Sequence, residues 1–419
     1  MAMMKNGCEP VKKGQVCILG MNFPPEPTGI APYAGALAAG LAASGHEVTA
    51  HVAHPHYPAW RIYPGYGGWR RVDNSDGVRV LRLRHYVPRP PRGVRRLLSE
   101  ISLGVRLFLG RWGSPQAVIA ISPPLFATAL VVARIRLSPR PPRLIVWVQD
   151  LYSLGVAETG EGGELVHRIT KWVEKWTLSA ADKVVVIHSR FADFVTSEFG
   201  IAPSHLEVVR NWTHLPPSAE IDQTAARTAL GWPNNAFLAV HTGNMGIKQG
   251  LENVVDAARI ADQQGLAVHF ILVGEGGERG RLEDYAQGIS RLTFVDPLSD
   301  DDYRLALGAA DVLLVNEKAG VSAMAMPSKL TAYFDAGRAV VAATDLEGIT
   351  ASEVRMADAG VVVSAGDPTE LLRAVIAVRN DPEAAARFAA NGRRHRQDVL
   401  DERIAMKRWN GLVEKMIAK

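Results

Sequence analysis

Glycine, lysine and small polar residues recur in three segments of the second half of the chain, each after an apolar run of strand length. The segments are His241-Thr-Gly-Asn-Met-Gly-Ile-Lys-Gln-Gly250, Val273-Gly-Glu-Gly-Gly277 and Asn316-Glu-Lys-Ala-Gly-Val-Ser-Ala-Met-Ala-Met-Pro-Ser-Lys-Leu330. Glycines let a backbone approach an anion closely, and a lysine adds a full positive charge. Together the three segments predict a site for phosphate groups and a nucleotide base.

The third segment is also typical of a helix start. Pro327 would lie near the first helical position, Ser328 and Lys329 in the first turn, and Gly337 just past the end. A helix start presents free N–H groups and the positive end of the helix dipole, which suits phosphate. Taken alone, the segment is equally consistent with an ordinary strand–loop–helix turn that carries a surface lysine.

The elements around these loops predict the fold. A strand over residues 15–20, a helix over 32–44 and a strand over 48–52 form a βαβ unit, which indicates a parallel sheet. Further strands are predicted at residues 78–83, 117–121, 144–148, 183–187, 206–209, 237–241, 268–273, 292–295, 311–315, 339–343 and 360–363. We therefore predict an α/β protein with two doubly wound Rossmann-like domains facing across a cleft, with ligands at the strand C-terminal ends. The GxGxxG dinucleotide motif does not follow the first strand.

Composition places the domain boundaries. A polar leader at residues 1–14 is expected to be disordered, and the proline-containing stretch at 211–220 reads as a connection. The predicted domains span residues 15–212 and 213–397, and a last amphipathic helix at 398–419 is expected to pack back on the first domain.

Bulk properties exclude several protein classes. The chain has 419 residues, two cysteines and a formal net charge of +4. Two cysteines cannot form a disulfide framework or a thiolate metal site, and they fit a reducing cytoplasm. The chain shows neither a signal-peptide pattern nor an uninterrupted apolar run long enough to span a membrane.

Arginine is concentrated in one region. Between residues 79 and 111 there are nine arginines and one acid, Glu100, and residues 93–112 alternate basic and apolar positions at helical spacing. One interpretation is a helix lying on anionic lipid. Another is a core-packing helix with a solvated charged face. Nucleic-acid binding is a third, but no DNA- or RNA-binding module is visible.

Nine short motifs occur in order along the chain: Asn22-Phe-Pro-Pro-Glu-Pro-Thr-Gly-Ile30, Tyr57-Pro-Ala-Trp60, Tyr86-Val-Pro-Arg89, Ser122-Pro-Pro-Leu-Phe126, Val148-Gln-Asp-Leu151, Asn211-Trp212, Gly243-Asn-Met-Gly-Ile-Lys-Gln-Gly250, Val273-Gly-Glu-Gly276 and Met326-Pro-Ser-Lys-Leu330. Over residues 15–400 the sequence resembles the retaining glycosyltransferases of family 4, which have the GT-B fold. The resemblance is greatest to their bacterial capsule, colanic-acid and O-antigen branch.

The resemblance implies transfer of a hexose or N-acetylaminosugar from a nucleoside-diphosphate sugar, with UDP-sugar expected over GDP-sugar. The first domain would bind a polyprenyl-diphosphate-linked or oligosaccharide acceptor, and the second would bind the donor. The enzyme would act in the cytoplasm, peripherally on the inner face of the cytoplasmic membrane, with retention at the anomeric carbon. No metal cofactor is expected, since Asp300-Asp-Asp302 is typical of a helix first turn.

The resemblance also assigns donor-site positions. Lys248 matches the family's pyrophosphate lysine, and the donor set is Gly29, Ile30, Gly243, Asn244, Lys248, Gly274, Glu275, Gly276, Pro297, Glu317, Pro327, Ser328, Lys329 and Leu330. Gln149 and Asp150 fall where many relatives carry a His-Asp or His-Glu pair beside the transferred sugar, and with Lys248 they form the expected catalytic set. Asp150 is expected to orient acceptor or sugar rather than attack it; the alternative is a strand-end residue that caps the next turn.

The expected acceptor and membrane residues are Tyr57, Trp60, Arg92, Arg95 and Arg96. The aromatic residues are equally consistent with local packing. The sequence also departs from the family pattern: Asn244 stands where relatives usually have an arginine, and Met324 and Ala332 stand at the two positions of the Glu-x7-Glu signature. Glu317 is the candidate substitute for the missing ribose ligand.

Two alternatives have the same two-domain architecture. A nucleotide-sugar 2-epimerase would interconvert free nucleotide sugars, and it would have no use for the basic, apolar region at residues 79–112. A non-catalytic sugar-binding protein with two α/β lobes would usually carry a signal peptide. The sequence therefore favours a transferase.

Overall fold

The structure is a computed structural model that describes residues 13–27, 29–154, 163–213, 221–320 and 329–418. These residues form two compact units. One comprises the chain up to Asn211 together with the segment from Glu402, and the other comprises Trp212–Asp401.

The described strands are β1 (Gln15–Leu19), β2 (Glu47–Ala53), β3 (Arg70–Ser75), β4 (Val78–Leu83), β5 (Ala117–Ser122), β6 (Arg143–Val148), β7 (Lys183–Val186), β8 (Leu206–Val208), β9 (Phe237–Thr242), β10 (Val268–Val273), β11 (Leu292–Val295), β12 (Val312–Asn316), β13 (Ala339–Thr344) and β14 (Gly360–Ser364).

The described helices are α1 (Ala31–Ala43), α2 (Gly93–Leu109), α3 (Leu125–Arg136), α4 (Gly163–Ser179), α5 (Ser189–Phe199), α6 (Gln223–Leu230), α7 (Glu252–Gln263), α8 (Arg279–Tyr285), α9 (Asp300–Ala309), α10 (Lys329–Ala336), α11 (Ile349–Ala357), α12 (Pro368–Asn380), α13 (Pro382–Asp398) and α14 (Glu402–Ile417). Short 3-10 turns lie at Pro203–His205 and Ile247–Gln249.

In the first unit, the described strands form one sheet in the order β3-β4-β2-β1-β5-β6-β7-β8. All neighbours are parallel except β3 and β4. The central strands are buried on both faces, so their sequences read as continuous apolar runs. Since the chain leaves β1 towards β2 on one side and reaches β5 on the other, the topological switch point lies between β1 and β5.

In the second unit, the described strands form a parallel sheet in the order β11-β10-β9-β12-β13-β14. Apolar side chains from both faces of the sheet build two buried clusters with the flanking helices. The switch point lies between β9 and β12, and a crevice for a ligand is expected outside their carboxyl ends.

The predicted fold class, two Rossmann-like α/β units and a C-terminal helix, is confirmed. The strand β3 was not predicted. It is exposed, antiparallel to β4 and lacks apolar alternation. Its one signal was the pair Asp76-Gly77, whose positive φ angles of 51° and 76° are those of a tight hairpin turn.

The helix α14 belongs to the first unit. Trp409 packs edge-on against Trp147 of β6, with ring centroids 5.1 Å apart, and Lys13 forms an ion pair with Glu414 at 2.7 Å. The units divide after Asn211 and after Asp401. Of the leader predicted at residues 1–14, residues 1–12 lie outside the described part of the chain, whereas Lys13 N donates to the Gly45 carbonyl at 3.1 Å and the Gly14 carbonyl accepts from Glu47 N at 2.9 Å.

Candidate functional site

The carboxyl ends of β9 and β12 carry a lysine–histidine pair. His241, on β9, is fully buried, and its Nδ1 lies 3.1 Å from the Leu314 carbonyl oxygen of β12. Because a carbonyl only accepts, Nδ1 must carry the proton, and Nε2 is left with its lone pair. Lys329 of α10 donates to that nitrogen, with Nζ and Nε2 3.2 Å apart.

Burial sets the electrostatics of this pair. It lowers the pKa of Lys329 from 10.5 to about 8, an effect that the Glu317 carboxylate opposes. Burial and the nearby lysine likewise hold the pKa of His241 well below 6.5, so the imidazole is neutral. A lysine whose charge is this poorly solvated gains free energy when an anion arrives beside it.

Glu317 follows β12 directly and is held by two hydroxyl groups. Its carboxylate accepts hydrogen bonds from the hydroxyl of Thr344 and from that of Thr350, the latter at 2.6 Å. The carboxylate is therefore fixed in place near Lys329 rather than free to swing.

Backbone lines the rest of this edge. Gly243 N donates to Val273 O, and Gly274 N donates to Val295 O, both at 2.9 Å. A Cβ on Gly274, where φ is +138°, would overlap the carbonyl group of Gly243, and one on Gly276 would overlap the backbone of Met245. Only glycine permits this approach of the loops after β9 and β10. A Cβ added to Gly243 would lie 3.7 Å from Lys329 Nζ, so the lysine covers the first loop.

The other predicted donor residues lie around this edge. Lys248 and Asn244 are exposed, and the Lys248 carbonyl accepts from Lys318 N at 2.9 Å. Arg279 forms ion pairs with Asp296 at 2.7 Å and with Glu275 at 3.5 Å. Asp296 directly precedes Pro297, which is exposed.

Five further residues of the third loop and α10 were named above for the donor site or the Glu-x7-Glu signature: Met324, Pro327, Ser328, Leu330 and Ala332. The side chain of Leu330 is buried in the core of the second unit, as is Ala332, so neither side chain lines the edge. Pro327, Ser328 and Met324 lie outside the described residues, and the described part of α10 begins at Lys329.

A second polar site lies at the switch point of the first unit. A pocket of about 200 Å³ is lined by Met21, Asn22, Gly29, Ile30, His56, Tyr57, Trp60, Arg96, Ser99, Glu100, Pro123 and Pro124. These residues follow β1, β2 and β5 or belong to α2. Gly29, with φ of +68°, turns the chain into α1.

The carboxylate of Glu26 organises the wall of this pocket. Its Oε1 accepts from the backbone N–H groups of His56 and Tyr57, at 2.7 and 2.9 Å, and its Oε2 accepts from Asn22 Nδ2 at 2.8 Å. Glu26 is buried, so these bonds replace its water shell. No sequence pattern predicts this contact, which joins residues 30 positions apart.

The floor of the pocket contains Glu100, the single acid of the arginine-rich region. It accepts from the Tyr152 hydroxyl and from Phe126 N, the latter at 3.1 Å, and Arg96 Nε lies 3.6 Å away. Burial raises the pKa of Glu100, and these donors oppose the rise. The Arg96 guanidinium lies 5.9 Å from the ring centroids of both Trp60 and Tyr152, at the mouth of the pocket.

Gln149 and Asp150 follow β6 at the same edge. The side-chain amide of Gln149 is paired with that of Asn211 through two hydrogen bonds of 2.7 and 3.2 Å. Asp150 Oδ1 accepts from Leu151 N at 2.9 Å. This hydrogen bond is the contact expected if Asp150 is a strand-end residue that caps the next turn.

Within the arginine-rich region, Gly93–Leu109 forms α2. This helix has one buried apolar face and one exposed apolar face. Leu103, Gly104 and Leu107 are buried, and Gly104 packs closely against α3. The opposite face bears an exposed apolar ridge of Val94, Leu98, Ile101, Val105 and Leu109, with exposed fractions from 36% to 74%.

Basic and aromatic side chains flank the α2 ridge. Arg92 and Arg95 are exposed, and Arg106 stacks on the exposed Trp69 at 3.7 Å from the ring centroid. Tyr66 lies under Arg71, and the Tyr63 hydroxyl donates to the Tyr57 carbonyl at 2.7 Å. Within the aromatic cluster, Tyr57 and Trp60 therefore line the pocket, whereas Tyr63 and Tyr66 serve local packing.

Other features of the described residues limit the possible chemistry. They contain no group of three or more His, Cys, Asp or Glu side chains arranged to hold a metal ion. Among the described helices, none combines the length and apolarity needed to cross a bilayer. Larger cavities exist, such as one of about 370 Å³ beside Gly308, Gly337 and Arg338, but these residues precede strands rather than follow them.

Comparison with known proteins gives two family matches. Residues 28–212 match the model of the glycosyl transferase 4-like domain, and residues 222–395 match the model of glycosyl transferases group 1. The chain is 34% identical over 333 residues to WcaI of Escherichia coli (strain K12), whose name assigns it as a glycosyl transferase of colanic acid biosynthesis; the match covers 76% of this chain and 80% of WcaI.

Solved structures share the fold. Sucrose-phosphate synthase from Thermosynechococcus elongatus superposes with a TM-score of 0.73 at 18% identity, over 97% of this chain and 99% of that one. HepE from Anabaena, solved in complex with UDP and glucose, gives a TM-score of 0.65 at 16% identity, over 96% and 100% of the two chains.

Proposed function

This chain belongs to the GT-B glycosyltransferases that join a glycosyl transferase 4-like domain to a glycosyl transferases group 1 domain, and from that premise we propose its substrates and mechanism. It transfers a hexose or N-acetylaminosugar from a UDP-sugar to a lipid-linked or oligosaccharide acceptor in cell-surface polysaccharide synthesis. The name of WcaI supports the polysaccharide assignment, and the UDP bound to HepE, a protein of the same fold, supports the base. GDP-sugar is the less favoured donor.

The observation that carries the donor assignment is the half-buried Lys329 of α10, whose ammonium group lies beside His241 near the end of β9. Its ammonium group has a neutral imidazole on one side and a glycine loop below it. A diphosphate placed over Gly243 would add negative charge beside this ammonium group, in addition to that of the Glu317 carboxylate. Lys248, exposed at the rim, would add a second, better solvated cation.

The remaining donor contacts are proposed from where the residues lie relative to the ends of the strands. Glu317 is proposed to accept hydrogen bonds from ribose or sugar hydroxyls, because its carboxylate is fixed at the end of β12. The loops at Gly274–Gly276 and at Pro297 would border the base, and Gly29 and Ile30 would meet the diphosphate from the first unit. The backbone at Ser328–Leu330 would cap the distal phosphates.

We infer that transfer proceeds with retention and without a metal. The acceptor hydroxyl oxygen forms a bond to the anomeric carbon, the bond to the donor phosphate breaks, and the hydroxyl proton passes to the departing diphosphate. Lys329 and Lys248 would offset the charge that develops on this leaving group. Asp150 and Gln149 are proposed to orient the acceptor or sugar, not to form a covalent intermediate.

The ridge on α2 supports a peripheral position on the inner face of the cytoplasmic membrane. Exposed aliphatic side chains flanked by Arg92, Arg95 and Arg106 combine the apolar and basic surfaces that bind anionic lipid. A lipid-linked acceptor would be met at such a surface.

The test is an activity screen of the full chain with UDP-, GDP- and ADP-sugars. Radiolabelled sugar should pass from one UDP-sugar to a polyprenyl-diphosphate-sugar acceptor presented in vesicles, and proton NMR of the product should show the anomeric configuration of the donor. Nucleotide binding is checked in parallel by thermal shift, since a ligand that binds the folded state stabilises it.

Two results would contradict the proposal. Conversion of free UDP-sugar to its 2-epimer without acceptor would identify an epimerase instead. Absence of any thermal shift with all three nucleotide families would show that the edge of the second sheet is not a donor site.

A further inference from the structure

A cavity of about 370 Å³ lies in the second unit at the amino ends of β12 and β13. Leu307 and Gly308 of α9 line one side, and Gly337 and Arg338, which directly precede β13, line another. The donor loops follow the carboxyl ends of the strands, so a strand length separates them from the cavity, about 20 Å for the six residues of β13. The volume is within the ~300–1,000 Å³ typical of ligand pockets. The cavity is therefore separate from the proposed donor site.

Small and basic residues dominate the wall of this cavity. Of the described residues that line it, seven are alanine or glycine, three are arginine and none is acidic. The arginines are Arg304 of α9, Arg338 and Arg393 of α13, so three segments of the chain contribute one each. All three are half-buried. Positive charges gathered at one cavity repel one another, and an anion among them offsets that repulsion.

Capping of helices explains part of this arrangement. Arg338 donates to the Gly308 carbonyl at 2.5 Å, and Arg393 donates to the Ala336 carbonyl at 3.3 Å. Both carbonyls belong to the last turns of α9 and α10, where a cation is favoured. A Cβ on Gly337 would lie 2.1 Å from Arg393 Nε, so glycine lets the guanidinium group lie against the backbone there. The bond to Ala336 uses one of the five N–H donors of Arg393.

Two of the arginines have donors that the described residues do not satisfy. The Nε of Arg304 is buried and has no hydrogen-bond partner among those residues, and Arg393 has no carboxylate partner among them. The acids of the adjoining segments already pair with other arginines: Asp311 with Arg227 at 2.6 Å, and Asp335 with Arg396 at 2.9 Å. A buried donor without a partner costs free energy until a ligand or ordered water completes its hydrogen bonds. The unused donors therefore indicate where an anion would bind.

The chemistry of the wall favours one class of anion. Guanidinium groups bind phosphate and carboxylate through paired N–H donors. A phosphate monoester carries nearly two negative charges at neutral pH, which balances several arginines better than the single charge of a carboxylate. The alanine and glycine side of the cavity offers no charge, and it leaves room for an organic group attached to the phosphate.

We propose that this cavity binds a phosphate monoester, with the phosphate group between Arg304 and Arg393 and the organic group against the small residues of α10 and α13. Arg338 contributes a third positive charge while it caps α9. The site does not depend on the proposed glycosyl transfer, because it lies at the opposite edge of the sheet from the donor loops.

The test is calorimetric titration of the full chain with glucose 6-phosphate and with glycerol 3-phosphate. Glucose, which lacks the phosphate, and inorganic phosphate, which lacks the organic group, are the ligand controls. Arg304→Gln and Arg393→Gln each remove one guanidinium group from the cavity. Arg394→Gln is the matched control, because Arg394 is the next residue on α13, is exposed and does not line the cavity.

We expect at least one ester to bind more tightly than inorganic phosphate, and glucose not to bind. Arg304→Gln and Arg393→Gln should each weaken ester binding roughly tenfold or more, the value of hydrogen bonds to a charged group. Arg394→Gln should change it by less than about twofold, and Lys329→Met should bind the ester as the wild type does. If Arg393→Gln does not fold, judged by circular dichroism, Arg393→Lys keeps the charge without the paired donors and should still weaken binding severalfold.

The following outcomes would overturn the inference. One is no binding of either ester by folded wild-type protein, and another is wild-type affinity in both cavity variants. An equal loss in Arg394→Gln would indicate general attraction to positive charge rather than a site. A loss in Lys329→Met, with affinity retained in the cavity variants, would place the ester at the donor edge. Inorganic phosphate that binds as tightly as both esters would contradict the proposed contact with an organic group.

Discussion

The two sheets end in edges of opposite chemistry. The edge of the second unit is built from glycine backbone and one poorly solvated cation, Lys329, whereas the edge of the first unit is built from side chains, among them the Glu100 carboxylate and the Arg96 guanidinium. The first arrangement suits a diphosphate, and the second presents side-chain hydrogen-bond donors and acceptors together. The same doubly wound topology therefore supports either site, and the loops after the central strands decide which one forms.

The two edges should also differ in how they tolerate an added methyl group. Gly274→Ala would force a Cβ into the Gly243 backbone, whereas Gly29→Ala would place one 3.4 Å from the Tyr57 ring. We expect Gly274→Ala to lower the free energy of unfolding of the second unit by ~3 kcal/mol or more. Gly29→Ala should cost ~1–2 kcal/mol for its left-handed backbone. Urea unfolding followed by circular dichroism measures both, and equal losses would contradict the contrast between backbone and side-chain construction.

Substitution of the half-buried Lys329 should separate the effects on UDP binding from the effects on stability. Lys329→Met should weaken UDP binding about tenfold to a hundredfold, the value of a charge-assisted hydrogen bond. The same change should raise the stability of the ligand-free protein by up to ~3 kcal/mol, because it removes a poorly solvated charge. Lys248→Met is the comparison: because Lys248 is exposed and better solvated, its loss should weaken UDP binding less than the loss of Lys329. Calorimetric titration measures UDP affinity, and thermal unfolding measures stability. A larger loss of UDP affinity in Lys248→Met than in Lys329→Met would identify Lys248 as the main phosphate contact.

The lowered pKa of Lys329 predicts opposite pH dependences for stability and binding. Between about pH 8 and 10.5 the unfolded chain keeps this lysine protonated while the folded, ligand-free protein releases the proton. The unfolded state then binds more protons, so stability from this group rises with pH in that window. UDP requires the protonated form, so its affinity should fall by up to about tenfold per pH unit above pH 8. The pH dependence of stability and that of UDP affinity should both be absent in Lys329→Met. A wild-type UDP affinity that does not change with pH would contradict binding of UDP beside protonated Lys329.

The smallest expected effect concerns the first unit and membranes. Leu98→Glu on the α2 ridge should reduce sedimentation with phosphatidylglycerol vesicles about three- to tenfold, since it removes part of an apolar contact and adds a like charge. Leu346→Glu, at an exposed position of similar size in the second unit, is the control. Equal loss in both variants would mean that the ridge has no special role.

The sequence was sufficient for the fold and for placing glycine-containing loops after β9 and β10, because buried parallel strands and glycine-rich turns are local patterns. It could not show which groups meet. Lys329 reaches His241 across 88 positions, and Tyr152 reaches Glu100 across 52. The sequence singled out Glu100 only as a lone acid among arginines. The contact between Glu26 and the backbone of His56 and Tyr57 could not be predicted, because a hydrogen bond from a distant backbone N–H group to a carboxylate produces no periodic pattern in the sequence.

The placement of α14 has a consequence for how the chain folds during synthesis. The second unit, Trp212–Asp401, is continuous in sequence, whereas the first unit is completed only by the segment from Glu402. Trp147 therefore lacks its packing partner until Trp409 is synthesised, which happens after the whole second unit has left the ribosome. We expect the second unit to reach its native state first on the ribosome, although it is translated later than most of the first. A fragment ending near Asn211 should expose the Trp147 surface and bind chaperones or aggregate.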